Sequence, residues 1–300
     1  MAIKQVRAQV NGQWYTLTLQ ANGRYEASIT APGATSFNQP GGYYDVTVEA
    51  TNTAGTSGTA DASTLDGLKL YVKERVAPVI TILSPSSGAY VTNNKQPVVF
   101  TITDEAGGSG VKLDSVAVKL DGSPVSAGEV THSAISNGYS FTYTPAQALG
   151  DGDHTVTVDA TDNDGNAAAQ KSTTFKVDTI PPTLNVTSPT EGMITSTQSL
   201  TVSGTTNDAT SSPVTVKISL NGTDQGAVTI GGDGAFSKAV TLKEGANVIV
   251  VTATDAAGKS SSVTRNVTLD TSVPQIVSAT ITPNPVDAGQ TMLISVEVSG

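Results

Sequence analysis

The chain has 300 residues, no cysteine, 29 glycines, 14 prolines and a formal charge of −10. Absent thiols exclude disulfides and thiolate chemistry, and the acidic balance leaves no basic stripe to displace counterions from nucleic acid. Apolar runs stay as short as Val248–Val251, so membrane insertion through an apolar helix is not expected either.

The start, "MAIKQVRAQVNGQWY", alternates from its first residues and has no apolar core of the kind a secretory leader carries, so no leader is expected. "VRAQVNG" at 6–12 reads as a strand running into an Asn-Gly hairpin turn. In the next strand Tyr15, Leu17 and Leu19 form the face expected to be buried, which turns Trp14, Thr16 and Thr18 outward. Trp14 is the only tryptophan, and an outward indole could stack on a sugar or anchor a protein contact. "NGRYEASIT" at 22–30 is a further strand, and "YDVTVEATNTAGTSG" from Tyr44 is a strand, a Gly-containing turn and a return.

After the proline-marked junction "VKERVAPVI" at 72–80 the chain supplies a fuller set of strands. "PVITILSPSSGAYVT" from Pro78 gives strand A and "QPVVFTITD" from Gln96 gives strand B. "VAVKLDG" from Val116 gives strand C, "NGYSFTYTP" strand E, and "HTVTVDATDNDGNAA" from His154 the F–G hairpin. The junction "VDTIPPTL" at 177–184 then opens a second pass through the same order. "PTLNVTSPTEGMIT" from Pro182 is A, "SLTVSGTTND" from Ser199 is B, and "VKISLNG" from Val216 is C. "DGAFSKAVTL" is E, and "NVIVVTATDAAGKSS" from Asn247 is F–G, ending at "LDTSVPQI".

The equivalent alanines Ala50, Ala160 and Ala253 recur at roughly the length of one small sandwich domain, about 100 residues. The fold class expected is all-β: tandem immunoglobulin-like Greek-key β-sandwiches in an elongated array. The segments are 1–76, an incomplete domain with strands C to G; 77–179 and 180–271, two full domains; and 272–300, an A/B strand pair.

The "V-x-A-T-D-x-x-G" hairpins, the "D-T-x-x-P" junctions and the "SGV…V-x-V-x-x-D-G" stretch at 109–122 resemble bacterial immunoglobulin-like (Big-type) modules. Such modules occur in cell-surface adhesins and in tail proteins of tailed bacteriophages. The resemblance implies a non-enzymatic array in a virion, with other virion or tail proteins and cell-surface polysaccharide as partners; the alternatives are a segment of a bacterial cell-surface adhesin and an accessory module of a polysaccharide-active enzyme. The first repeat departs from the pattern, with Asn52 where the others carry Asp162 and Asp255.

The two ends are complementary. Residues 1–76 lack strands A and B, whereas 272–300 contain an A-like "QIVSATITPNP" and a B-like "TMLISVEVSG". Met292, Ile294, Val296 and Val298 share one face and need a core to cover them. Donation of this strand pair to residues 1–76 of a neighbouring copy would build a head-to-tail ring or filament. Further residues beyond Gly300, or a different protein, could complete the pair instead.

Chemistry is sparse. The two histidines, His132 and His154, have no triad partners in sequence, and Asp104/Glu105 and Asp151/Asp153 read as solvated loop pairs. No cofactor is expected, and calcium is the one candidate: "DATDNDGN" places Asp159, Asp162, Asp164 and Asn166 on one hairpin, where a Gly-containing turn also uses Asp and Asn for backbone reasons. The junction aspartates Asp178 and Asp270 are the other places for it.

Overall fold

The computed structural model describes residues 2–300, and the chain divides between Val177 and Asp178 into two compact units. The first unit opens with β1 (Ile3–Val10), β2 (Gln13–Leu19), β3 (Tyr25–Glu26), β4 (Tyr44–Asp45), β5 (Thr47–Asn52), β6 (Ser57–Ala60) and β7 (Lys69–Leu70). Five of these form an antiparallel sheet in the order β3-β2-β1-β5-β6, and β4 pairs only with β7. The β1–β2 turn is Asn11-Gly12, both at positive φ, the conformation that suits the twist of a two-residue hairpin. Asp121-Gly122 and Asn221-Gly222 repeat it after the two later C strands.

The rest of the unit is a complete sandwich, formed by β8 (Val79–Ser84), β9 (Tyr90–Val91), β10 (Val98–Thr103), β11 (Ala117–Leu120), β12 (Ser123–Pro124), β13 (Val130–Ile135), β14 (Gly138–Tyr143), β15 (Gly152–Asp159) and β16 (Lys171–Val177). One sheet runs β13-β14-β10-β8, the other β12-β11-β15-β16-β9. Strand B (β10) lies between A (β8) and E (β14), so its alternation sends Val98, Phe100 and Ile102 into the core, each fully buried. Phe100 stacks on Phe141 at 5.1 Å, and both belong to the same core as Val156, Val158 and Phe175 of the facing sheet.

The second unit repeats this plan with β17 (Thr183–Ser188), β18 (Met193–Thr195), β19 (Ser199–Asn207), β20 (Thr215–Leu220), β21 (Thr223–Asp224), β22 (Ala235–Thr241), β23 (Gly245–Thr254) and β24 (Ser260–Leu269). The sheets are β17-β19-β22 and β18-β24-β23-β20-β21. Val202, Ile218, Phe236, Ile249, Val251 and Leu269 are among the residues of its core. Each complete sandwich thus places A, B and E on one side and C, F and G on the other, the Greek-key arrangement of immunoglobulin-like domains.

The unit continues into a two-stranded ladder, β25 (Gln275–Thr282) with β26 (Leu293–Ser299). Every residue of both strands is exposed.

Two expectations about the first 76 residues need correction. Residues 22–30 supply only the two-residue β3, which joins β2 in the C–F–G sheet, whereas the E strands β14 and β22 pair with strand B. Without a strand B, E has no ladder to join. The face expected to be buried is accordingly open: Leu19 is exposed and Tyr15 and Leu17 are only half-buried, because strands A and B are not there to cover it.

Candidate functional site

The most conspicuous surface is the face of β25–β26. Register pairs Ile281 with Ile294, Ala279 with Val296 and Ile276 with Val298, so these six apolar residues share one side of the ladder. The corresponding pairs of the first complete sandwich, Phe100 with Ile82 and Ile102 with Ile80, line its core. Here Ile294, Val296 and Val298 are 57%, 49% and 57% exposed, and Met292, just ahead of the strand, 51%. The four side chains named from the sequence are therefore unburied together. Among the described residues, the buried apolar side chains of the half-sandwich are few: Val6, Ala8, Val10, Tyr44 and Ala62.

Trp14 lies on the outward side of β2, opposite Gln9. Arg7 holds its guanidinium 4.2 Å from the centre of the indole and is itself held by Glu49 at 3.0 Å. This makes an ordered polar-aromatic patch on the sheet's outer face.

The hairpin carboxylates named for calcium do not converge. Asp162 is fully buried and closes its own turn: Oδ1 accepts from the Gly165 and Asn166 amides, and Oδ2 from the Asn166 side chain. Asp164 turns away to accept from the Thr35 hydroxyl and the Glu74 amide, while Asp159 pairs with Gln170. Asn52 performs the same turn closure with a single oxygen, accepting from Ala54 and Thr56. An amide therefore suffices for the turn.

Carboxylates gather elsewhere, at the bases of the two complete sandwiches. Asp178, Asp208 and Asp255 bring one oxygen each within 4.8 Å of one another, and all three residues are buried. Asp178 precedes β17, Asp208 follows β19 and Asp255 follows β23. Glu74, Asp104 and Glu105 form the second such group. Glu105 is pushed up to about 7, first by its contact with Glu74, then by burial and by Asp104. Asp270, the remaining junction aspartate, instead accepts from the amide and hydroxyl of Ser272.

Neither histidine sits in a catalytic arrangement. His132 packs edge-on to Tyr139 at 5.5 Å. It lines a cleft of about 410 Å³ whose other walls are mainly apolar. His154 donates from Nδ1 to Asp121 and from Nε2 to the Gly150 carbonyl, both at 2.8 Å, an arrangement that favours the imidazolium. Burial lowers its pKa, but the Gly150 and Asp121 bonds outweigh burial and raise it above 6.5. The stabilisation is present below the unfolded value and is lost as pH rises through the raised folded one. Urea unfolding of the first unit followed from pH 6 to 8.5 should therefore show falling stability, and His154→Gln should flatten that slope.

Comparison with known proteins fits this plan. Residues 84–179 match the bacterial Ig-like domain family, and residues 182–271 match the family of glucodextranase domain B. No curated protein matches the chain. Among solved structures, the fibronectin(III)-like modules of Clostridium thermocellum CbhA align at 18% identity over 64% of this chain and 94% of that one, with a TM-score of 0.39. A 1.5-MDa bacterial ice-binding adhesin aligns at 22% identity over 90% and 88%, TM-score 0.32. The Bacteroides ovatus mixed-linkage glucan utilization locus protein SGBP-B, in complex with a heptasaccharide, aligns at 12% over 95% and 69%, TM-score 0.22. No catalytic family is matched, and no helix among the described residues is long and apolar enough to cross a membrane. The two family matches fall on the two sandwiches whose sheets were described above, the first from the end of strand A onward, and the chain is a tandem array of immunoglobulin-like β-sandwich modules.

Proposed function

We propose that the chain is a non-enzymatic structural protein that assembles head to tail by strand complementation. The β25–β26 ladder of one copy supplies strands A and B to residues 1–76 of the next. The observation that carries this reading is the bare apolar face of Ile276, Ile281, Ile294, Val296 and Val298, matched by a half-sandwich that has a C–F–G sheet and no A–B–E sheet to cover it. Burying what is left of these five side chains contributes about 4–8 kcal/mol before ordering costs, enough to hold two copies together. A heterologous contact of this kind closes into a ring or continues as a filament.

The setting is a virion or tail surface that touches host polysaccharide through the Trp14–Arg7 patch. The match of residues 182–271 to a glucodextranase domain supports a polysaccharide environment. The bacterial Ig-like match at 84–179 equally favours a cell-surface adhesin array, with the same assembly logic. The deciding experiment is solution mass with negative-stain imaging of the full chain beside a version lacking residues 272–300. Rings or filaments that vanish on truncation support complementation. Monomers of both forms at high concentration overturn it.

A further inference from the structure

Burial of three carboxylates at one point needs a counter-charge. Asp178, Asp208 and Asp255 are 0%, 8% and 6% exposed, and none takes part in any ion pair found among the described residues. Each commits one oxygen to the backbone. Asp208 Oδ1 accepts from the Thr210 and Ser211 amides, Asp255 Oδ1 from Lys259, and Asp178 Oδ1 from Ile180. Asp178 Oδ2 takes the Ser211 hydroxyl. Asp255 Oδ2 is buried and has no hydrogen-bond partner at all. A desolvated oxygen of this kind, close to two further carboxylates, is strongly destabilising unless something positive meets it.

The pattern recurs in the preceding module. Glu74 occupies the junction position of Asp178, and Asp104 closes strand B as Asp208 does. Glu105 takes the third place, because Asp162, the counterpart of Asp255, spends both oxygens on its own turn. Asp104 is 8% exposed and its Oδ1 has no partner. Gly108 lies so close that a Cβ there would stand 2.7 Å from Glu74 Oε2 and 2.8 Å from Asp104 Oδ2. Among the described residues, the buried side-chain polar atoms without a partner are Glu74 Oε2, Asp104 Oδ1, Glu105 Oε2 and Asp255 Oδ2. All four are carboxylate oxygens of these two clusters. The turn requirement does not explain the acid at 255, since Asn52 closes the same turn as an amide.

We infer that Asp178, Asp208 and Asp255 form a calcium site at the base of the second unit, and that Glu74, Asp104 and Glu105 form its repeat in the first. The donors are hard oxygens, with neither sulfur nor imidazole among them, which disfavours zinc. Three carboxylates gathered from three separate segments, with a hydroxyl beside them, suit the irregular, oxygen-rich coordination of Ca²⁺ better than the strict octahedron of Mg²⁺. A cation here would tie the segment leading into β17 to the ends of β19 and β23, so binding and folding of the module would be linked.

The test is titration calorimetry of the EDTA-treated full chain with CaCl₂ and with MgCl₂, followed by scanning calorimetry. Two calcium ions should bind per chain, with dissociation constants of about 10⁻⁵ to 10⁻⁴ M and a clear preference over magnesium. Millimolar calcium should raise the unfolding midpoint of the second unit by about 5–15 °C. Asp255→Asn should reduce the stoichiometry to one and cancel that shift. In EDTA it should unfold no lower than the unsubstituted chain, because it removes repulsion. Glu105→Gln should act in the same way on the first unit alone, which keeps the idea testable should one variant misfold. Absence of binding heat and of any midpoint shift in the unsubstituted chain would overturn the site. Equal stabilisation by Asp255→Asn with and without calcium would also overturn it, leaving only a repulsive cluster.

Discussion

Val296→Asp should convert the proposed head-to-tail assemblies into monomers while leaving the unfolding transitions of both complete sandwiches in place. Val296 is the middle residue of the apolar face of β26, paired with Ala279 across the ladder. A carboxylate there would be carried into a seam with no partner, at a cost of about 3–4 kcal/mol, so association weakens roughly 100- to 1000-fold. The residue is half exposed within its own copy, so the substitution costs the isolated chain little. Light scattering across a concentration series reads the first effect and calorimetry the second. Val296→Ile, which keeps the apolar face, should assemble as the unsubstituted chain does. Assembly that survives Val296→Asp would place the contact elsewhere.

Gly204→Ala should destabilise the second unit's sandwich. Gly204 lies in β19 between Val186 of strand A and Phe236 of strand E. A methyl group there would stand 2.2 Å from the Asn185 carbonyl oxygen and 2.7 Å from the Phe236 ring. The ring can turn, but the carbonyl belongs to a strand of the ladder, so A and B must separate. The expected loss is about 2–4 kcal/mol, a midpoint lower by roughly 10 °C or more for a module of this size. Gly232→Ala, which meets nothing within 4 Å, is the control and should be silent. An unchanged midpoint for Gly204→Ala would mean that the A–B ladder is slack at this point.

Most of the strand plan was legible in the amino-acid order because period-two alternation and Asn-Gly or Asp-Gly turns are local signals. The Asn11-Gly12, Asp121-Gly122 and Asn221-Gly222 hairpins form at the places that the motifs indicate. The exposure of Leu19 was not legible, since alternation says which face a side chain takes but not whether a second sheet will cover it. The carboxylate clusters were hidden for a related reason. Asp178, Asp208 and Asp255 come from three segments with no motif spacing, and only the fold brings them together. A signal did exist in the internal alignment, where Glu74 and Asp178, Asp104 and Asp208, and Asp162 and Asp255 occupy matching positions. The hairpin acids are neighbours in sequence and so form a visible motif, yet Asp162 is occupied by its own turn and Asp164 reaches across to Thr35 and Glu74.

The stacking of Arg7 on Trp14 has a spectroscopic consequence. The chain carries one tryptophan, so indole emission originates wholly in the incomplete module; the first complete sandwich contributes only tyrosine and phenylalanine light and the second only that of Phe236. The guanidinium covers one face of the ring and ties its orientation to Glu49 on the neighbouring strand. Any rearrangement of that sheet as a donated strand pair docks should therefore alter emission wavelength or lifetime at a single fluorophore. Unlabelled chains thus carry an optical reporter of the first unit, insensitive to melting of the second.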